Sequence, residues 1–326
     1  MRSVLKIVTA LGLLIQGASP AVQAAEPLYP SKPVRMVVAF PPGGSADINA
    51  RSVAQQLGKE LGATVIIDNR GGAGGNIGAI EVKKSAPDGY TVFYATSAVV
   101  LAPSLYANPG FDPYSDFVPI SLTATIPLVL VANNSLPVKT LAEFITWGKS
   151  RAGKVNYGSS GTGALLHLAG ALFLKEVGVQ ATHVSYKGSA PAITDLIGGS
   201  TDFMFLPVNE ASTHIKSGAL RPLVVTSERR SPLLPDVLTM REATGKINMD
   251  MGAWQGLMAP KGTPADVLGK LQGALQRALA DPPLRDRLTA QGSFVLGGTQ
   301  KQYVDYMKAE GARWAAVVRE TGARLD

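Results

Sequence analysis

Ser159 and Ser160 stand in a glycine and hydroxyl loop, Gly158-Ser159-Ser160-Gly161-Thr162-Gly163, with His167 a turn into the apolar stretch that follows. A serine near a histidine is the raw material of a hydrolase, but the spacing fails. A nucleophile elbow opening at Gly158 would close at position 162, which is Thr162. The other histidines, His183 and His214, share no metal-ligand spacing with His167, and no H-E-x-x-H or calcium-loop pattern occurs. The chain has no cysteine, which excludes disulfides, thiol catalysis and thiolate metal sites. A dinucleotide fingerprint starting at Gly72 would need a third glycine at position 77, which is Ile77. Gly148 and Gly153-Lys154 have P-loop spacing, but Val155 replaces the hydroxyl that would hold magnesium. No cofactor is implied.

Binding chemistry is better served. Phe40-Pro41-Pro42-Gly43-Gly44-Ser45-Ala46-Asp47 follows an apolar strand-like run at 34–40. Prolines and glycines stop the strand, Ser45 reads as a helix N-cap, and Asp47 falls in the first turn, where the helix dipole favours an anion. The loop and helix start would leave backbone N–H groups open above the strand, a setting that favours anions. An ordinary βα turn has the same appearance. The 158–163 loop repeats the pattern and shifts the balance toward a paired site. Ser97, at the end of the strand at 91–95, is either a helix cap or a ligand contact, since ligands gather at the carboxyl ends of parallel strands. Asp47, Asp195 and Asp202 are candidates to converge, although each is more commonly a cap or a solvated charge.

The elements that must position these residues follow from periodicity. A helix at 45–61 keeps Ala50, Val53, Ala54, Leu57 and Leu61 on one face, and a strand at 64–68 follows. This β-loop-α-β unit implies a parallel pair. The apolar run at 118–132, interrupted by Pro119 and Pro127, reads as a long strand passing from one lobe to another. A second unit comprises a strand at 154–157, the serine loop, a helix ended by Gly178, and a strand at 181–185. Strands are expected at 202–206 and 219–226, with Pro207-Val208-Asn209-Glu210 between them, and a return crossing at 254–259. Thr263-Pro264 reads as a capped helix start and Thr299 to Gln302 as a capping box. The fold class is α/β with two lobes whose loops face each other.

Compartment and partners are bounded by composition. Arg2 and Lys6, the apolar stretch at 7–15 and the small residues up to Ala24 predict a secretory signal peptide over 1–24, cleaved after Ala24. With 326 residues, 46% of them hydrophobic, the chain is long enough to bury one large or two ordinary cores. The formal net charge of +7 is dispersed, with Lys83-Lys84 and Arg229-Arg230 the adjacent basic pairs, and aromatics make up 6% of the chain. That pattern argues against nucleic-acid binding.

Together these stretches carry a resemblance. Tyr29-Pro30-Ser31-Lys32-Pro33-Val34-Arg35, the 40–44 loop with Asp47 and Ala50-Arg51, Asn69-Arg70, and Gly72-Ala73-Gly74-Gly75-Asn76-Ile77-Gly78 belong to it. So do Pro87-Asp88-Gly89-Tyr90-Thr91, Asn156-Tyr157-Gly158-Ser159-Ser160-Gly161, Tyr186-Lys187-Gly188, Thr226-Ser227 and Trp254. The chain resembles the Bug/TctC family of periplasmic solute receptors, the binding subunits of tripartite tricarboxylate transporters. The resemblance implies a Venus-flytrap, type II-like receptor with two α/β lobes and two crossing strands. Its first lobe would span 25–124, its second 125–250, and 251–326 would return to the first. It implies a small carboxylate ligand, a membrane permease as partner, no catalytic activity, a periplasmic location and a monomer. Carried over by motif, the ligand-binding residues are Gly43, Gly44, Ser45, Asp47 and Ser97 from the first lobe. Ser159, Ser160, Thr162, His167, Asp202 and Asn209 come from the second. Many members carry serine where this chain has Ala164, so a hydroxyl is missing there. A periplasmic sensor for a signalling partner is the alternative reading, and an exported hydrolase using Ser160 and His167 a third.

Overall fold

The computed structural model describes residues 29–151, 153–247 and 249–325. The expected leader at 1–24 lies outside the described residues. Strands β1 (Val34–Val38), β2 (Val65–Asn69) and β3 (Thr91–Thr96) pair in parallel, and helices α1 (Ser45–Leu61), α2 (Asn76–Lys83) and α3 (Ala98–Leu105) connect and flank them. Strand β4 (Phe117–Asn133) leaves this lobe. Helix α4 (Leu141–Ser150) leads into β5 (Val155–Ser159), α5 (Leu165–Val177), β6 (Ala181–Ser185), α6 (Ser189–Gly198), β7 (Phe203–Pro207), α7 (Val208–Lys216) and β8 (Leu220–Val225). After α8 (Met240–Thr244) the chain comes back as β9 (Gly252–Pro260), α9 (Ala265–Ala280), α10 (Pro282–Ala290), β10 (Phe294–Val295) and α11 (Gln300–Thr321).

The strand order is β2-β1-β3-β9-β4-β7-β5-β6, with β8 and β10 also paired to β4. The long strand divides at Pro127. Phe117 to Pro127 pairs with β9, whereas Leu128 to Ala132 pairs with β7. A proline removes a ladder donor and suits such a change of partner. The backbone N–H of Leu128 is instead held by the Thr226 hydroxyl at 3.1 Å. That hydroxyl also donates to the carbonyl of Met251, the residue before β9. The outgoing and returning passages between the lobes are therefore stitched together at one threonine.

Each lobe closes its own core. In the first, Val34, Met36 and Val38 pack with α1, α9 and α10, while Val37 and Phe93 face α2, α3 and the start of α11. In the second, Phe144, Phe173, Phe203 and Phe205 form edge-to-face contacts in the cluster that includes Leu128 to Ala132 of β4. Helix α11 spans both, with Tyr303 and Met307 in a first-lobe cluster and Trp314, Val317 and Val318 in the second-lobe cluster.

Two predicted helix starts are shifted by one residue. Gly44, not Ser45, has the extended N-cap backbone, so Ser45 is the first helical residue of α1. Pro264 likewise precedes α9, and the Thr263 hydroxyl donates back to the Pro260 carbonyl instead of capping the helix. The capping box at Thr299 and Gln302 is present in α11.

Candidate functional site

The helices α1, α3, α5, α6 and α7 each begin at the carboxyl end of a strand, β1, β3, β5, β6 and β7 respectively. Their open N–H groups and positive dipole ends gather along the cleft between the lobes. What makes this a site rather than a set of turns is how the loops are held.

In the first loop, Asp47 is only 2% exposed and its carboxylate is saturated. It accepts the Gly43 N–H at 2.9 Å, the Asn69 amide at 2.9 Å and the Arg51 guanidinium at 3.0 Å. Burial alone would raise its pKa, but Arg51, the Gly43 N–H and Asn69 outweigh it and hold the carboxyl below its ordinary value. Asp47 thus faces into the protein and sets the loop, with Asn69 also donating to the Phe40 carbonyl. Gly43 adopts φ +86°, a conformation glycine takes without strain. Gly44 and Gly43 are exposed, and the Ser45 side chain is released toward the cleft because it does not cap α1.

The second loop repeats this construction with different chemistry. The Gly163 N–H donates to His167 Nδ1 at 3.0 Å, four residues on, as Gly43 does to Asp47. His167 is therefore neutral at Nδ1, and burial lowers its pKa. Its ring stacks on His183 with centroids 3.8 Å apart. Burial, and then the facing His167, push the His183 pKa down to about 4. His183 Nε2 lies 2.7 Å from the Ser159 hydroxyl, and Ser159 is wholly buried. Ser159 and His167 support the loop from beneath. Ser160 and Thr162 remain at its half-exposed rim, where Thr162 donates to Ser185. The Ser160 carbonyl accepts the Gly188 N–H ahead of α6. Ala164 caps α5 without a side-chain hydrogen bond.

Among the described residues Ser160 and His167 do not form the hydrogen-bonded pair that a hydrolase would use. His167 Nδ1 is occupied by a backbone N–H, and the serine bonded to a histidine is the buried Ser159, not Ser160. A catalytic nucleophile must reach substrate, which Ser159 does not.

The lobes meet directly. Asn209, the second residue of α7, donates from Nδ2 to the Ser45 hydroxyl at 2.8 Å. The second loop touches the first lobe at α3, since a Cβ on Gly163 would stand 2.7 Å from Leu105 Cδ2. Ser97, the residue before α3, is buried and its N–H donates to the Trp254 carbonyl. Beneath α1, Asn49 donates to Gln255 and Ser293, both at 2.9 Å, and Tyr94 joins the same Gln255.

Asp202 is not brought to this cleft. It precedes β7, at the end of the sheet opposite Pro207, and its carboxylate accepts the Asn156 N–H at 2.7 Å. The spacing within β7 carries α7 and Asn209 to the site and leaves Asp202 behind. Glu210 and Ser189 were missed as candidates. Glu210 follows Asn209 where the lobes meet, its N–H donating to Asn209 Oδ1 at 3.0 Å, and burial raises its pKa while the nearby Ser189 and Ser45 partly oppose this. An acid in the first turn after a strand, as at Asp47, was the available signal. A cavity of about 370 Å³ lies between Arg229 and Arg230, which follow β8, and Arg285 and Phe294 of the returning segment. None of its lining residues belongs to the 40–47 or 158–163 loops.

Among the described residues no cluster of histidine and acidic side chains suits a metal ion, and no helix is long and apolar enough to cross a membrane.

The chain resembles known proteins throughout its length. BugT of Bordetella pertussis is 38% identical over 325 residues, covering 98% of each chain. The solved structure of the periplasmic binding protein BugD is 38% identical, with a TM-score of 0.78 over 91% of this chain and all of that one. The structure of Rpa4515 from R. palustris with adipate is 34% identical, with a TM-score of 0.81 over 91% of this chain and all of that one. Residues 49–323 match the family described as the tripartite tricarboxylate transporter family receptor. With the two-lobed fold and a relative of this identity over almost the whole chain, the protein belongs to the tripartite tricarboxylate transporter receptor family.

Proposed function

We propose that this protein is a periplasmic receptor that closes its lobes over a small carboxylate and delivers it to the permease of a tripartite tricarboxylate transporter. The observation that carries the reading is the convergence of helix N-termini from both lobes on one cleft, spanned by the bond from Asn209 to Ser45. A carboxylate there would accept from the N–H groups at Gly44 and Ser45 and from the hydroxyls of Ser45, Ser160 and Thr162, with Ser97 beside them. Charge-assisted hydrogen bonds of this kind strengthen as water leaves. Asp47, Ser159 and His167 act through the loops, holding their donors in place. The ligand favours closure by its greater affinity for the closed state, which couples docking on the permease to occupancy. In this reading the ligand is bound and released unchanged; among the described residues neither His167 nor His183 is hydrogen-bonded to Ser160. The adipate bound by Rpa4515 supports a carboxylate as the ligand class.

Thermal melting tests this reading. The mature protein, unfolded and refolded to strip any carried ligand, is melted against mono-, di- and aromatic carboxylates. A ligand at a hundredfold over its Kd stabilises by about 2.7 kcal/mol. That corresponds to a shift of several degrees, at roughly 2–4 °C per kcal/mol for a chain of this size class. No shift with any carboxylate contradicts the reading. Hydrolysis of an ester probe, abolished by Ser160→Ala, would favour an enzyme instead.

A further inference from the structure

A second concave site lies at the boundary of the lobes. Arg229 and Arg230 come shortly after β8 and after Thr226, the threonine that stitches the two passages between the lobes. Strand β8 pairs with the second-lobe half of β4, Val129 to Asn133. Arg285 and Thr289 stand on α10, whose Leu284 and Leu288 belong to a first-lobe cluster. Phe294 and Val295 form β10, which pairs with Thr125 and Ala124, ahead of Pro127. The two segments abut, since a Cβ on Gly292 would stand 2.7 Å from Leu233 Cδ1 and 2.9 Å from Val208 Cγ2. The cavity of about 370 Å³ between them is therefore lined from both lobes.

Its lining holds three arginines and no acidic side chain. Each guanidinium is held, but only one is neutralised. Arg230 Nε donates to the Glu242 carboxylate at 3.0 Å and its Nη1 to the Pro235 carbonyl at 3.2 Å. Arg285 Nη1 donates to the Leu279 carbonyl at 3.2 Å, and the Arg229 guanidinium lies over the Phe294 ring, 4.2 Å from its centroid. Neither Arg229 nor Arg285 forms an ion pair among the described residues. A carbonyl or a ring face orients a guanidinium and leaves its charge unmatched.

Two unmatched positive charges thus converge on a space of a small ligand's size. One exposed arginine binds an anion weakly in water. Several that face a single cavity with an apolar wall, here Pro232, Phe294 and Val295, raise the local potential and strengthen one another's contacts. The complementary ligand carries two negative charges on one group. A phosphomonoester does so above its second ionisation at about pH 6, and its oxygens match the guanidinium fork in pairs. A single carboxylate brings half that charge.

We propose that this cavity is a second ligand site, which takes the phosphoryl group of a small phosphomonoester between Arg229 and Arg285. Arg230 and Thr289 stand beside it, and the organic part of the ligand lies on the apolar wall. The site is separate from the carboxylate cleft.

The test titrates the refolded protein calorimetrically with phenyl phosphate, in phosphate-free buffer at about pH 7.5, above the second ionisation. Phenyl sulfate, a monoanion of the same shape, and inorganic phosphate, which lacks the organic part, are the comparisons. Phenyl phosphate is expected to bind at least tenfold more tightly than either. Arg229→Gln and Arg285→Gln are each expected to weaken it at least tenfold. The melting shift produced by a carboxylate of the panel is expected to be unchanged in them, and the melting of each unliganded variant checks its fold. Vesicles of phosphatidylcholine with phosphatidate distinguish a lipid headgroup from a soluble ester. The proposal is overturned by no binding of phenyl phosphate, by equal affinity for either comparison anion, or by binding confined to the vesicles. It is also overturned by an affinity unchanged in both folded variants, which would put the ester elsewhere, or by loss of the carboxylate shift in the same variants.

Discussion

The Ser45 hydroxyl accepts the Asn209 side-chain amide across the cleft at 2.8 Å, joining the first turn of a helix in one lobe to the first turn of a helix in the other. Both residues are half-buried, so the bond is neither fully competed by water nor locked away from it. It favours the closed arrangement before any ligand contributes. A hydrogen bond of this kind is worth about 0.5–1.5 kcal/mol.

Ser45→Ala and Asn209→Ala should each shift the unliganded protein toward an open form and weaken carboxylate binding by about two- to tenfold. The double variant should be no worse than the poorer single one, because the two changes delete the same contact. Small-angle scattering of the unliganded variants, with calorimetric Kd values, checks this. Strictly additive losses would show that the two residues act separately.

Asp47→Ala should lower stability by about 1–3 kcal/mol and weaken ligand binding, since the Gly43 N–H and the Asn69 amide lose a shared acceptor. Arg51 is more than half exposed and finds water, so the loss of the ion pair itself adds little. Asp47→Asn retains an acceptor and should cost less. Urea denaturation separates the two variants.

The stacked histidines give a pH dependence with a definite sign. Burial, aided by His167, holds the folded His183 near 4, below its unfolded value of about 6.5. The unfolded chain therefore binds the proton first as pH falls. The contribution is fully present above about pH 6.5 and is lost between there and about pH 4, at about 1.4 kcal/mol per pH unit for each proton. Carboxylates raised by burial, among them Glu210 and Glu310, oppose this trend. The informative quantity is thus the difference between wild type and His183→Gln, measured by denaturation at pH 7, 5.5 and 4.5. The gap in stability should narrow on acidification.

Asp202→Asn should leave carboxylate affinity within about twofold of wild type, because the side chain bonds the Asn156 N–H at the far end of its strand. A tenfold loss would put Asp202 back in the site.

The fold was legible because its punctuation is local. The 34–40 run, the Gly43-Gly44 turn and the amphipathic 45–61 stretch predict a β-loop-α unit unaided, and the length of the 118–132 run predicts passage between lobes. Side-chain direction was not local information. Ser45 has the composition of an N-cap, yet the extended backbone falls on Gly44 and frees the serine for Asn209, 164 residues away. Asp47 and His167 stand at equivalent places behind their loops, and both resemble ligand contacts until the N–H groups of Gly43 and Gly163 are seen to occupy them. The Ser159 and His183 contact joins adjacent parallel strands, β5 and β6, and a register is needed to find it.

The most direct measurement titrates the refolded receptor with a carboxylate from the melting panel and with the primary amide of the same skeleton. Helix N-termini and hydroxyls arranged for an anion should bind the carboxylate at least a hundredfold more tightly than the amide. Equal affinity for the two, or tighter binding of the amide, would contradict a cleft built around an anion.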